Sequence, residues 1–208
     1  MVRVSAPALS LDASGSLAGA MVFSKWKGRN YVRTLVTPSN PRSGGQVGVR
    51  AMFKFLSQRW LAIAAGPKAT WEVTAEQKAI SPFNAYISYN QFRYRNFLSP
   101  SKAHPAAEVQ TIPTLPTITA TAGVRQITVA ITKGATGAQW GWAIFRSPTT
   151  TFTPSYSNHI ASIVIDADGN GTYVDTPLEP GTYWYHVRGI TEDGVWGADS
   201  TEANATVT

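Results

Sequence analysis

Leu178-Glu179-Pro180-Gly181-Thr182-Tyr183-Trp184-Tyr185-His186-Val187-Arg188-Gly189-Ile190 is the stretch that decides the fold. A Pro-Gly turn opens it, and Tyr183, Tyr185 and Val187 then recur at every second position, the period of a half-buried strand. The same period runs outward in both directions. Upstream it marks Thr117 to Ala122, Arg125 to Thr132, Gln139 to Arg146, His159 to Ile165 and Thr172 to Asp175; downstream it marks Ala203 to Val207. Ile127, Val129 and Ile131 repeat the inward alternation. Seven short strands within about 95 residues suit a two-sheet sandwich.

Leu178, Pro180 to Tyr183, Tyr185, Val187, Asp193, Gly194 and Trp196 resemble the late strands of a fibronectin type III domain. The resemblance implies a tyrosine corner at Tyr183, whose hydroxyl would bond upstream backbone, and a buried core tryptophan at Trp142. It covers about half the chain and implies architecture rather than activity.

The residues before this half follow other rules. Gly19 to Thr37 reads as a hairpin, with Met21, Val22, Phe23 and Trp26 on one arm, Tyr31, Val32, Leu35 and Val36 on the other, and Lys27 to Asn30 as its turn. Pro38 and Pro41 end it. Val49, Phe53, Leu56, Trp60 and Ile63 lie on one face of a helix expected over Gln46 to Ala65, with Gly66 and Pro67 as its stop. A capping-box spacing at Thr74 and Gln77 marks a short turn. Ser81 caps a second helix, with Pro82 first and Phe83, Tyr86, Ile87, Asn90, Tyr94 and Phe97 on its stripe. The fold class expected is an α+β N-terminal domain of hairpin and helices, followed by an all-β fibronectin type III-like sandwich. Prolines at 100, 105, 113 and 116 place the division at a linker over 105–112, with a docking domain at 1–104 and the sandwich at 113–208.

Val22-Phe23, Tyr31-Val32-Arg33, Pro38, Asn40-Pro41-Arg42, Gln46, Arg50 and Trp60, then Phe83-Asn84-Ala85 and Asn90, resemble a group of small tailed-phage virion proteins, several of which append an immunoglobulin-like domain. The resemblance implies an accessory or decoration protein of capsid or tail. Its partners would then be capsid or tail proteins, and its copies would form a homo-oligomer or a repeated array on the particle. It would be made in the host cytoplasm and localise to the virion.

Charge divides the chain. Residues 1–107 carry 14 Lys or Arg against three acids, +11, whereas residues 108–208 carry four against nine, −5. Opposite fields imply different partners for the two halves, or one half facing its neighbour's opposite end. No cysteine exists for disulfides, thiolate metal sites or a thiol nucleophile. The opening residues lack a signal-peptide pattern, and no apolar run is long enough to cross a membrane as a helix.

The chemistry-bearing residues are few. His104, His159 and His186 have no metal-ligand spacing, and no nucleophile elbow, zinc helix or phosphate loop occurs. Asp166, Asp168, Asn170 and Gly171 imitate a calcium loop, but Pro177 stands where its bidentate glutamate belongs, so a turn is expected there. No catalytic residue, metal or cofactor is assigned, and no enzyme is expected. The best site is cationic: Lys25, Lys27, Arg29 and Arg33, interleaved with Trp26 and Tyr31, extended by Arg42 and Arg50. Three readings apply, namely docking on acidic protein, a solvated edge, and nucleic-acid binding; docking is preferred. Trp184 and Trp196 are candidates for surface recognition, such as weak contact with host glycans in a carbohydrate-binding adhesion module.

Overall fold

The structure, a computed structural model, describes residues 2–3, 14–17, 20–36, 40, 42–108, 114–135 and 140–208. The chain forms two compact units, Met1–Pro41 and Arg42–Thr208.

The first unit is an antiparallel sheet of four strands, β1 (Val2–Arg3), β2 (Gly15–Leu17), β3 (Met21–Trp26) and β4 (Arg29–Thr34), in the order β1-β4-β3-β2. β3 and β4 make the expected hairpin, but its turn is tighter than the sequence implies. Trp26 pairs with Arg29, so only Lys27 and Gly28 turn the chain, both at positive φ (49° and 75°). Two left-handed residues match the twist of the flanking strands. Gly19, Thr37, Pro38 and Pro41, named above, lie outside the described residues. No described side chain of this unit is buried.

The second unit begins with three helices, α1 (Gly44–Ala62), α2 (Ala65–Lys78) and α3 (Pro82–Arg95). α3 starts as expected: Ser81 caps it by accepting from the Asn84 amide at 3.2 Å, and Pro82 opens it. α2 replaces the expected stop and short turn. Gly66 and Pro67 fall in its first turn, where a proline has no intrahelical bond to lose, and Thr74 is internal, bonded back to the Thr70 carbonyl at 3.2 Å. The buried face of α1 is also displaced. It runs through Gly48, Met52, Phe55 and Leu56, and Phe53 is left exposed, because the helix wedges between α3 and the sandwich rather than resting on one neighbour.

Eight strands follow: β5 (Thr117–Gly123), β6 (Gln126–Thr132), β7 (Gly141–Ser147), β8 (His159–Val164), β9 (Gly171–Asp175), β10 (Gly181–Ile190), β11 (Trp196–Asp199) and β12 (Ala203–Val207). They form two sheets, β5-β6-β9 and β11-β10-β7-β8, with β12 also pairing β10. This is the antiparallel strand order of an immunoglobulin-like, fibronectin III-like sandwich. Between the sheets Ile127, Val129, Trp142, Ile144, Tyr185 and Val187 are fully buried, and the Tyr183 hydroxyl donates to the Glu179 carbonyl at 3.1 Å.

The outer face of the second sheet is covered where β7 and the end of β10 lie. Ala143, Phe145 and Ile190 share a second core with Met52, Phe55, Leu56, Trp71, Tyr86 and Tyr94 of the helices. The division expected over 105–112 is therefore not where the compact units part; the described boundary falls between Pro41 and Arg42. Hydrogen bonding supplies the reason. The chain leaving α3 is stitched to the β10–β11 loop: Lys102 N donates to the Glu192 carbonyl at 2.7 Å, Glu108 N to the Asp193 carbonyl at 3.0 Å, and Ser101 bridges Asp193. Positions 109–112 of the expected linker, Pro113 and Gln139 lie outside the described residues.

Candidate functional site

Antiparallel register places directly opposed residues on one face of a sheet. In the first unit Val22 opposes Arg33, Ser24 opposes Tyr31 and Trp26 opposes Arg29. Arg29 and Arg33 thus share a face with Trp26 and Tyr31, while Lys25, opposite Asn30, belongs to the other face. Lys27 turns its ammonium over the Trp26 ring, 4.9 Å from the centroid, and Trp26 is 61% exposed. The result is a hairpin end with an exposed aromatic ring and cations beside it. Such a surface suits carboxylates, to which an arginine fork donates bidentately.

Arg42 and Arg50 belong to the second unit, where they line a groove with Lys54. Lys54 was not singled out in the sequence, although its spacing of four from Arg50 puts both on one side of α1.

Of the two tryptophans, Trp184 lies half-buried within β10, between Ser147 of β7 and Asn204 of β12. Trp196 is committed internally. Its indole N–H donates to the Phe97 carbonyl at 2.9 Å, and its ring lies 5.9 Å from that of Phe97, on the helix-facing core.

Several buried polar groups tie the helices to the sandwich or to the chain that leads into it. Arg93, its side chain 7% exposed, donates to the Ser99 carbonyl (2.8 Å), the Gly194 carbonyl (2.9 Å) and the Glu108 carboxylate (2.9 Å). Asn90 closes a two-way bond with the Ser101 backbone (2.7 and 3.0 Å). His159 is fully buried, between the Tyr94 hydroxyl at 2.7 Å and the Ser162 hydroxyl at 3.0 Å. Gly48 permits this approach, since a Cβ there would lie 2.2 Å from the Tyr94 oxygen. Burial pushes the His159 imidazole down to about 4 and the Tyr94 phenol up. His186 contacts the Ser200 carbonyl at 2.9 Å, its ring centroid lies 4.9 Å from that of Phe152, and His104 packs against Trp71 and Tyr89.

Asp166 organises the turn between β8 and β9, accepting from the Asp168 amide at 3.0 Å and the Asn170 amide at 2.7 Å, with Gly169 at φ 83°. β8 and β9 lie in different sheets, so this is a corner between sheets rather than the hairpin turn its composition suggests.

No family model matches the chain, and no curated protein does. Solved structures do. A β-1,2-glucanase from Parabacteroides distasonis is 17% identical over 47% of this chain, which spans 14% of the glucanase, with a TM-score of 0.37. An Fn3-like protein from Clostridium thermocellum is 22% identical over 45% of this chain and 92% of its own, with a TM-score of 0.37. The PKD domain of an M14-like peptidase from Thermoplasmatales archaeon SCGC AB-540-F20 is 14% identical over 48% of this chain and 97% of its own, at 0.26. Strand order and register, not these likenesses, carry the reading of the sandwich.

Proposed function

We propose that this protein is a non-enzymatic structural component of a tailed-phage virion, an accessory or decoration protein of capsid or tail. Its cationic N-terminal sheet docks on an acidic protein surface, and the helix-clad, fibronectin type III-like body is displayed. The observation that supports this reading is the face carrying Trp26, Arg29, Tyr31 and Arg33, with Lys27 over the indole, in a unit whose described side chains include none that is buried. Exposed apolar surface of this kind, beside cations, is what a partner would cover. The particle comes from the resemblance of residues 22–90 to small tailed-phage proteins. Repeated docking sites on a symmetric particle imply a repeated array of copies.

The second reading is nucleic-acid binding, favoured by the 61% exposed Trp26 ring beside cations, which could stack on a base. Co-sedimentation separates the two. The wild-type chain is expected to pellet with virions of the phage that encodes it, and the exposed triple substitution Lys27→Glu, Arg29→Glu, Arg33→Glu to stay in the supernatant. Binding to random duplex DNA should be absent at about 50 mM salt. A chain missing from the particles sinks the virion reading, and DNA affinity that falls steeply with salt installs the alternative.

A further inference from the structure

β8 ends the sheet order β11-β10-β7-β8, so among the described residues the edge turned away from β7 meets no strand of its own sheet. A groove of about 470 Å³ follows that edge. Its walls include Ile160, Ile163 and Tyr173, and its cations are Arg42, Arg50 and Lys54. No acid lines it among the described residues. Tyr173 comes from β9, itself the end strand of the other sheet, so the groove lies where both sheets end and α1 overhangs them.

Three features coincide here: a strand edge, an aliphatic wall and three cations. An end strand offers backbone donors and acceptors to any extended chain of suitable register. Strand addition takes its affinity from those main-chain bonds and its selectivity from alternate side chains. Period-two alternation would then send one set of guest side chains toward Ile163 and Tyr173 and the other toward the cations. We propose that the outer edge of β8 is a strand-addition site for an extended acidic segment of a partner protein. The backbone of the guest pairs with residues 160–163, and its carboxylates meet Arg42, Arg50 and Lys54.

The occupant is a different chain rather than a second copy. Pairing β8 with its own counterpart would gather six cations at one seam with no acid from the groove between them. A nucleic acid fits less well, because it has no strand ladder to offer, and the groove supplies one aromatic ring among aliphatic walls. The inference does not rest on the virion reading, since it concerns a surface of the second unit and its test uses a synthetic guest.

The probe is a capped nonapeptide of alternating glutamate and valine, titrated into the full-length ¹⁵N-labelled protein at about 50 mM salt. Amide shifts should concentrate on residues 160–163 and on the turn of α1 carrying Arg50 and Lys54. The double substitution Arg50→Glu, Lys54→Glu lies on the helix surface and should weaken binding at least about tenfold. N-methylation of alternate peptide amides should do the same in one of its two registers, because only one set of guest amides faces β8. No binding at millimolar peptide overturns the proposal. So does equal binding by both methylated peptides, which would leave a purely electrostatic contact, or equal binding at the same amides by an oligonucleotide of matched charge.

Discussion

Phe55→Ala, a change in α1, is expected to lower the unfolding free energy of the β-sandwich by about 3–5 kcal/mol. Phe55 is fully buried, and its ring stands nearly edge-on to Trp140 with centroids 6.0 Å apart. It also fills the space over Gly141 in β7, where a Cβ would lie 2.4 Å from the ring. Removing the ring opens a cavity bounded on one side by helix and on the other by sheet, so the loss falls on both. Urea unfolding followed by a sandwich probe measures it. A shift below about 1 kcal/mol, or loss of helical signal with the sandwich transition unmoved, contradicts the shared core.

The second large effect is on pH. His159 in the folded protein titrates at about 4, against 6.5 for an exposed imidazole, because charging it within the helix–sandwich seam costs its hydration. Between those values the unfolded chain binds a proton that the folded protein refuses, so falling pH favours unfolding. The contribution is complete above about pH 6.5, declines down to about pH 4 and then levels off, for a total of about 3 kcal/mol. The groups facing the ring are the Tyr94 and Ser162 hydroxyls, the Ala161 backbone and the Phe145 ring, none of which carries charge in this range. His159→Gln keeps polar atoms in the seam without a proton to gain. The stability difference between wild type and variant should therefore shrink by about 3 kcal/mol from pH 6.5 to 4. A difference that stays constant over that range contradicts the burial of a neutral imidazole.

The sandwich was legible because period-two patterning is local. β5, β6, β8, β9, β10 and β12 fall within a residue or two of the runs read from Thr117 onward. β11 was not legible as a strand: Trp196-Gly197-Ala198-Asp199 is too short and glycine-bearing to alternate, and it is held in place by β10. The helical cladding had a signal that strand patterning alone does not weigh. Trp142, Ala143, Ile144 and Phe145 form a continuous apolar run, the mark of a strand covered on both faces, and all four are fully buried. α2 was obscured by Gly66 and Pro67, which read as a helix end yet are tolerated in a first turn.

The cationic hairpin end shows the same division between local and tertiary information. Its composition was plain from Lys25 to Arg33, but the sharing of a face by Trp26, Arg29, Tyr31 and Arg33 follows from the two-residue turn, which sets the register. A four-residue turn at 27–30 would pair these strands differently. Lys54, and with it the groove along β8, needed the tertiary packing of α1 against the sheet end, which no spacing in the sequence specifies.

Native-state hydrogen exchange across a denaturant series tests most directly whether helices and sandwich are one body. The amides of α1 from Met52 to Leu56 and those of β7 from Trp142 to Phe145 should open with the same free energy and the same denaturant dependence, as parts of one cooperative unit. Exchange of the α1 amides through a lower-energy opening that leaves β7 and β10 protected would make the helices a separate body, and the account would fail.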